Sequence, residues 1–171
     1  MIEIKKAKES DAEILALLGR VTYVESHGNF IEDKTDLLKY LTKSFSVVKT
    51  REDIKNNNNL FLILYVDELP VGYVKLVLKA THENVESKNS CRLERIYILA
   101  DFLQMKLGKH FLDFTEQKAK KLQFDTMWLS VYVKNNRAIR FYEKNEFKNV
   151  GELSFLVNGK GYDNIVFSKK I

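Results

Sequence analysis

"CRLERIYILADFLQMKLGKHFLDFTEQKAKKLQFDTMWLSVYV", residues 91–133, changes its hydrophobic period twice. "CRLERIYIL" (91–99) is rich in β-branched and aromatic residues and reads as a strand. "LGKHFLDFTEQKAKKL" (107–122) places Leu107, Phe111, Ala119 and Leu122 on one face of a helix. "TMWLSVYV" (126–133) is a second apolar strand, of the buried kind. Strand, helix and strand in that order make a crossover, the connection that parallel neighbours in a sheet require.

Outward from this unit the pattern is different. "MIEIKKAK" alternates like a short strand. "SDAEILALLGRVTYVE" opens with the pattern of a capping box, Ser10 with Glu13, and continues with Ile14, Leu17, Leu18, Val21 and Val24 at helical spacing. "TDLLKYLTKSF" predicts a second helix with Thr35 or Asp36 near its cap. "TREDIKNN" predicts a third, capped by Thr50, with "NNNN" (56–59) as its exit. "NLFLILYV", the turn "DELP" and "VGYVKLVLK" read as two paired strands. "ATHENVESKNS" is a polar loop. After the crossover, "NNRAIRFYEKN" predicts a helix with an asparagine cap, and "KNVGELSFLV" and "YDNIVFSKK" a hairpin around "NGKG". The order β-α-α-α-β-β-β-α-β-α-β-β predicts a mixed α+β sheet with helices on both faces. A doubly wound nucleotide fold would alternate throughout and is excluded.

The 171 residues suit one domain spanning 1–171. Apolar residues at 45% and charged residues at 30% support a core and argue against disorder. The net charge of +5 is spread along the chain, and no basic block or basic-aromatic stripe points to nucleic acid. Cys91 is the one cysteine, so no intrachain disulfide framework is expected. His27, His82 and His110 stand too far apart, and do not pair with Cys91, for a metal-ligand pattern. No membrane span or signal peptide is expected, and a cytoplasmic location is the simplest expectation. A homodimer is compatible with the sequence.

"LERIYIL", "LGKHFL", "WLSVYV" and "NNRAIRFYEKNEF" follow one another in an order that resembles the GNAT superfamily of acyl-CoA-dependent N-acetyltransferases. Within that family the chain looks most like bacterial polyamine acetyltransferases of the PaiA type. One motif carrying the resemblance is Asn135, Ala138, Phe141 and Tyr142 followed by Phe147. The other is a pyrophosphate loop aligned on Gly108. There Leu103 stands for the usual Gln or Arg and Lys106 for the first glycine, with Gln104, Met105 and Leu107 between and beside them. Glu146 stands where the family's helix usually ends in glycine.

The resemblance implies the GNAT fold: a mostly antiparallel, twisted sheet of about seven strands with one crossover at the cofactor site. It implies acetyl-CoA as co-substrate and a primary amine as acceptor, with direct transfer and no acyl-enzyme. The backbone from Leu103 to Lys109, including Gln104, Lys106, Leu107 and Gly108, would seat the pyrophosphate on a helix start. An ordinary helix start is the competing reading. Ile96, Tyr97 and Ile98 would pair with the pantetheine arm as though it were a strand. Asn135 would bond the cofactor, Asn136 taking the cap. Tyr142 would protonate the departing thiolate, since a phenol of pKa about 10 can share its proton with a thiol of about 8.5. Glu94 would deprotonate the amine through water, or else pair with Arg92 or Arg95. The acidic stretch Glu25, Glu32, Asp33 and Asp36, with Glu83 and Glu86, borders the acceptor channel in the family. It would attract a cation such as spermidine or spermine, or be plain acidic surface. Lys109, Arg137 and Lys144 would meet outer phosphates or only solvent. The alternatives are acetylation of a protein or peptide N-terminus or of another small amine, and a CoA-binding sensor with a weakened loop.

Overall fold

The chain runs β1 (Ile2–Lys6), α1 (Ala12–His27), α2 (Lys34–Ser44), α3 (Val47–Lys55), β2 (Asn59–Val66) and β3 (Leu69–Val77). It continues through β4 (Ser90–Ile98), α4 (Leu107–Lys121), β5 (Thr126–Tyr132), α5 (Asn136–Lys144), β6 (Lys148–Val157) and β7 (Lys160–Lys170). These elements come from a computed structural model that describes residues 1–171. The strands form one seven-stranded sheet in the order β1-β2-β3-β4-β5-β7-β6. β1 pairs β2, β5 pairs β7 and β6 pairs β7, all antiparallel, and β4 pairs β5 in parallel across the expected crossover.

Two hairpins turn on paired left-handed residues. Asn158 and Gly159 (φ 50° and 85°) close β6 onto β7, the conformation that an Asn-Gly turn favours. Asp67 and Glu68 (φ 47° and 68°) adopt the same hand between β2 and β3 without any glycine. β6 carries a bulge between Asn149 and Gly151. A Cβ on Gly151 would lie 1.8 Å from the Asn84 side-chain amide, so any larger residue there would displace the Asn84 side chain.

Backbone contacts divide the chain into two compact units, with boundaries inside β3, β4 and α4. The first comprises Met1–Leu76 and Arg95–Leu112. Its core joins Ala7, Leu15, Leu18, Phe61, Ile63 and Tyr73, with Tyr97 and Leu99 packed against them. It also buries an ion pair, Lys75 Nζ to Asp53 Oδ2 at 2.9 Å, with Lys49 on the other oxygen at 2.6 Å. Burial opposes the charge on Asp53, but the bonds from Lys49 and Lys75 outweigh it and hold the carboxyl below its usual range. The second unit comprises Val77–Glu94 and Asp113–Ile171. Val85, Trp128 and Val166 cluster there, and Lys169 reaches both Glu116 oxygens at 2.9 Å.

The helix starts correct the sequence reading. Ser10 makes no capping box with Glu13. A 3-10 turn (Glu9–Asp11) precedes α1, and the Asp11 carboxylate accepts the Lys8 N–H at 2.7 Å. Asp33 caps α2, accepting from Thr35 and Asp36, so neither of those residues is the cap. Ser46 caps α3, and Thr50 lies buried inside it. For α2 and α3 the acceptor lies two or more residues upstream of the expected one, where the chain is still extended.

The buried face of α1 is also different from the expected one. Leu15, Leu18, Gly19, Thr22 and Tyr23 are buried, whereas Leu17, Val21 and Val24 are exposed. Gly19 sets that orientation: a Cβ there would come within 2.4 Å of the Phe45 ring. Counting large apolar residues misses a face organised around a small one. On α4, Leu107, Phe111 and Ala119 are buried as expected, but Leu122 lies past the helix end and is half exposed.

Candidate active site

Within the first unit, the end of β4 leads into a 3-10 turn, Ala100–Met105, and then into α4. Lys106 joins the two in the left-handed conformation (φ 57°, ψ 21°). This is the backbone shape for which glycine is the usual residue, and a lysine adopts it at a cost of about 1 kcal/mol. The substitution therefore leaves the geometry of the turn in place. Leu107 is buried and Gly108 half-buried, while Leu103, Gln104, Met105, Lys106, Lys109 and His110 are exposed. No acidic residue occupies the first turn of α4. The positive dipole end of α4 is thus unopposed by any acidic residue of its own first turn. These residues fit an anionic pyrophosphate.

β4 is held tightly on one side. A Cβ on Gly72 of β3 would lie 2.5 Å from the Tyr97 carbonyl oxygen and 3.2 Å from Ile98 Cα, and the Leu99 N–H bonds Val71 O at 2.9 Å. The β4–β5 ladder is short: it joins Ser90, Cys91 and Arg92 to Thr126, Met127 and Trp128. β4 continues beyond it to Ile98. Ile96, Tyr97 and Ile98 are half-buried. The Tyr97 ring meets Tyr73 and His27 edge-on (5.7 and 6.0 Å), and burial raises its phenol well above the usual range. Arg95 lies 4.5 Å over the Phe45 ring.

In the second unit, α5 carries the motif residues. Asn135, not Asn136, is its N-cap: Asn135 Oδ1 accepts the Ala138 N–H at 3.1 Å. Asn136 was the expected cap because both positions are chemically competent. The observed cap uses one acceptor site of the Asn135 oxygen. The other end of α5 is a Schellman motif. Glu146 takes φ 68°, its N–H bonds Glu143 O at 3.0 Å, and the Phe147 N–H bonds Tyr142 O at 3.1 Å. Phe147 is thereby packed against Tyr142, with ring centroids 5.5 Å apart. Phe141 and Phe167 complete the surround of that ring (5.2 and 6.3 Å). Burial alone pushes the Tyr142 phenol above its usual range, so it is protonated at neutral pH and a weaker acid than a free phenol.

Two further residues bear on the chemistry. Glu94 is half-buried on β4. Cys91 is fully buried, and burial pushes its thiol up to about 12, so it stays protonated and is a poor nucleophile.

The acidic residues differ in exposure and in partners. Glu32, Glu83 and Glu86 are exposed. Asp33 is occupied as the α2 cap, and the bonds from the Thr35 and Asp36 backbones lower its pKa. Glu25 Oε2 accepts the Ala100 N–H at 2.9 Å. Arg137 and Lys144 are exposed. Neither the Glu25 contact nor the close approach at Gly72 has a local sequence signal, because each depends on a partner distant in the chain.

The chain belongs to the acetyltransferase (GNAT) family, whose model matches residues 29–147, and is an acetyl-CoA-dependent N-acetyltransferase. It is 25% identical over 170 residues to an N-acetyltransferase encoded in the pepI 3′ region of Lactobacillus delbrueckii subsp. lactis, covering 99% of this chain and 98% of that one. It is 26% identical over 151 residues to spermidine N(1)-acetyltransferase of Thermoplasma acidophilum, covering 86% and 88%. The fold is similar to the crystal structure of PaiA N-acetyltransferase from Thermoplasma acidophilum in complex with coenzyme A, with a TM-score of 0.77, 24% identity, and coverage of 100% and 99%. No helix is long and apolar enough to cross a membrane.

Proposed function

We propose that residues 1–171 work as one GNAT domain of the PaiA type, moving an acetyl group directly to a small cationic amine such as spermidine or spermine. One observation carries the site reading above the others: the β4–β5 ladder stops at Arg92 and Trp128 while β4 runs on. A strand that outlasts its ladder is suited to a strand-like ligand, here the pantetheine arm along Ile96, Tyr97 and Ile98. The amides around Lys106, Leu107, Gly108 and Lys109 seat the pyrophosphate, and the Asn135 amide nitrogen bonds the cofactor.

Acetyl-CoA supplies the activated thioester. A backbone N–H of β4 polarises its carbonyl. An amine of pKa near 10.4 is only about 0.04% unprotonated at pH 7, so a base must act, and Glu94 takes the proton through a water molecule. Tyr142 gives its proton to the leaving thiolate. The inert Cys91 supports transfer without an acyl-enzyme. The left-handed backbone at Lys106 supports a loop that keeps its turn shape without the glycine.

The polyamine reading rests on exposed Glu32, Glu83 and Glu86 and on the likeness to a spermidine acetyltransferase. Its test is a thiol-release assay over an amine panel. Spermidine and spermine should exceed a monoamine of equal chain length in kcat/KM by about tenfold at low salt, and the advantage should shrink as salt screens the second charge. Equal rates for mono- and polyamines would overturn it.

A further inference from the structure

Glu25 stands outside the catalytic proposal, and its contact is unusual for an acidic residue near an acceptor site. The 3-10 turn Ala100–Met105 begins behind Leu99, whose side chain has no acceptor atom and provides no cap. The Ala100 N–H is nevertheless paired. Its acceptor is Glu25 Oε2 at 2.9 Å, supplied from 75 residues away. Glu25 is presented by an anchored last turn of α1. Ser26 Oγ donates to Thr22 O at 2.7 Å and meets His27 Nδ1 at 2.7 Å. The His27 ring stacks on Tyr23 at 4.6 Å and meets the edge of Tyr97. Just beyond, Lys34 Nζ donates to Gly28 O at 3.1 Å. On the other partner, the sheet holds the chain as far as Leu99, through the Leu99 N–H and Val71 O. The Glu25 bond carries that order one residue further, into the segment leading to Lys106.

We propose that Glu25 is a positioning residue for the cofactor loop, its carboxylate clamping Ala100 so that the turn at Lys106 and the start of α4 are preset for the pyrophosphate. The proposal rests on the reading of that loop as the coenzyme A seat. An oxygen accepting a backbone N–H at 2.9 Å is within the normal hydrogen-bond range. Both residues are exposed, so its loss acts on the loop and not on the global fold. The clamp needs an acceptor oxygen and not a negative charge, which separates it from a cation-binding role.

The test uses Glu25→Ala and Glu25→Gln in the full chain, with amide hydrogen exchange of the free protein and calorimetry with coenzyme A. Glu25→Ala should speed exchange over Ala100–Met105 by about tenfold and raise the coenzyme A Kd by about fivefold, with Tm unchanged. Glu25→Gln keeps the acceptor and should stay within about twofold of the parent on both readouts. Ala100→Pro removes the donor at a first-turn position where proline is tolerated, and Glu25→Ala should then have no further effect. Unchanged exchange in Glu25→Ala, Glu25→Gln as damaging as Glu25→Ala, or additive effects with Ala100→Pro would each overturn the clamp. A raised amine KM with coenzyme A affinity unchanged would also overturn it and assign Glu25 to the acceptor. Absence of coenzyme A binding in the parent protein would overturn the cofactor reading and the role built on it, while exchange still reports the clamp by itself.

Discussion

The turns at Lys106 and Glu146 solve one problem under different constraints. Both are left-handed at positions where the family's glycine is absent. Glu146 lies within a Schellman motif whose two hydrogen bonds and Phe147–Tyr142 contact all require the same backbone. Lys106 sits between a 3-10 turn and a helix, with exposed residues from Leu103 to Lys106. The left-handed cost at 146 is offset by packing that would be lost if the turn relaxed. At 106 the preceding side chains are exposed and contribute little to holding the shape. An over-determined turn suits the proposed role of Tyr142, whose ring it holds in place. A less constrained one suits the proposed role of the Lys106 loop as a ligand seat.

The largest test of this contrast is Phe147→Ala. It should destabilise the protein by about 3–5 kcal/mol in denaturant unfolding, because it leaves a cavity beside Tyr142. Loss of less than about 1 kcal/mol would mean that packing does not fix the Glu146 turn. Tyr142→Phe keeps the ring and removes the proton. We expect kcat to fall about 100-fold with the coenzyme A Kd unchanged, measured by thiol release and calorimetry. Undiminished turnover would remove the acid role from Tyr142. Glu146→Gly relieves the left-handed strain in a fixed turn and should raise stability by about 0.5–1 kcal/mol. Lys106→Gly should be the mildest. It relieves the same strain but frees a looser segment, so stability should change by less than about 0.5 kcal/mol and coenzyme A affinity by no more than about threefold. A collapse in affinity would show that the Lys106 side chain holds phosphate directly, and that the two turns differ in chemistry as well as in constraint.

The readable parts of this chain are those where a local pattern has one physical solution. The alternation of strand, helix and strand over 91–133 gave the crossover, and the "NGKG" stretch gave the hairpin, although its turn is the Asn158-Gly159 pair alone and β7 already begins at Lys160. The positions missing glycine at 106 and 146 were legible, but their retained left-handed backbone was not, because a residue type limits φ without dictating it. Cap assignments went astray at Ser10, Thr50 and Asn136 because several adjacent residues were competent and the tertiary course of the chain chose among them. The buried face of α1 was misread because Gly19 gives no hydrophobic signal. Glu25 was singled out for its charge, whereas its contact with Ala100 is a property of two segments that the sequence holds far apart.

Cys91 lies within the three-residue parallel ladder between β4 and β5, buried and protonated. The folded chain therefore offers no accessible thiol, and a disulfide reagent added to a working reaction reports released coenzyme A against a silent protein background. The same reagent, left for hours without substrate, becomes a clock. Each modification of Cys91 records one opening of the ladder at the root of β4, so the labelling rate measures how often the strand that carries the proposed cofactor edge comes loose.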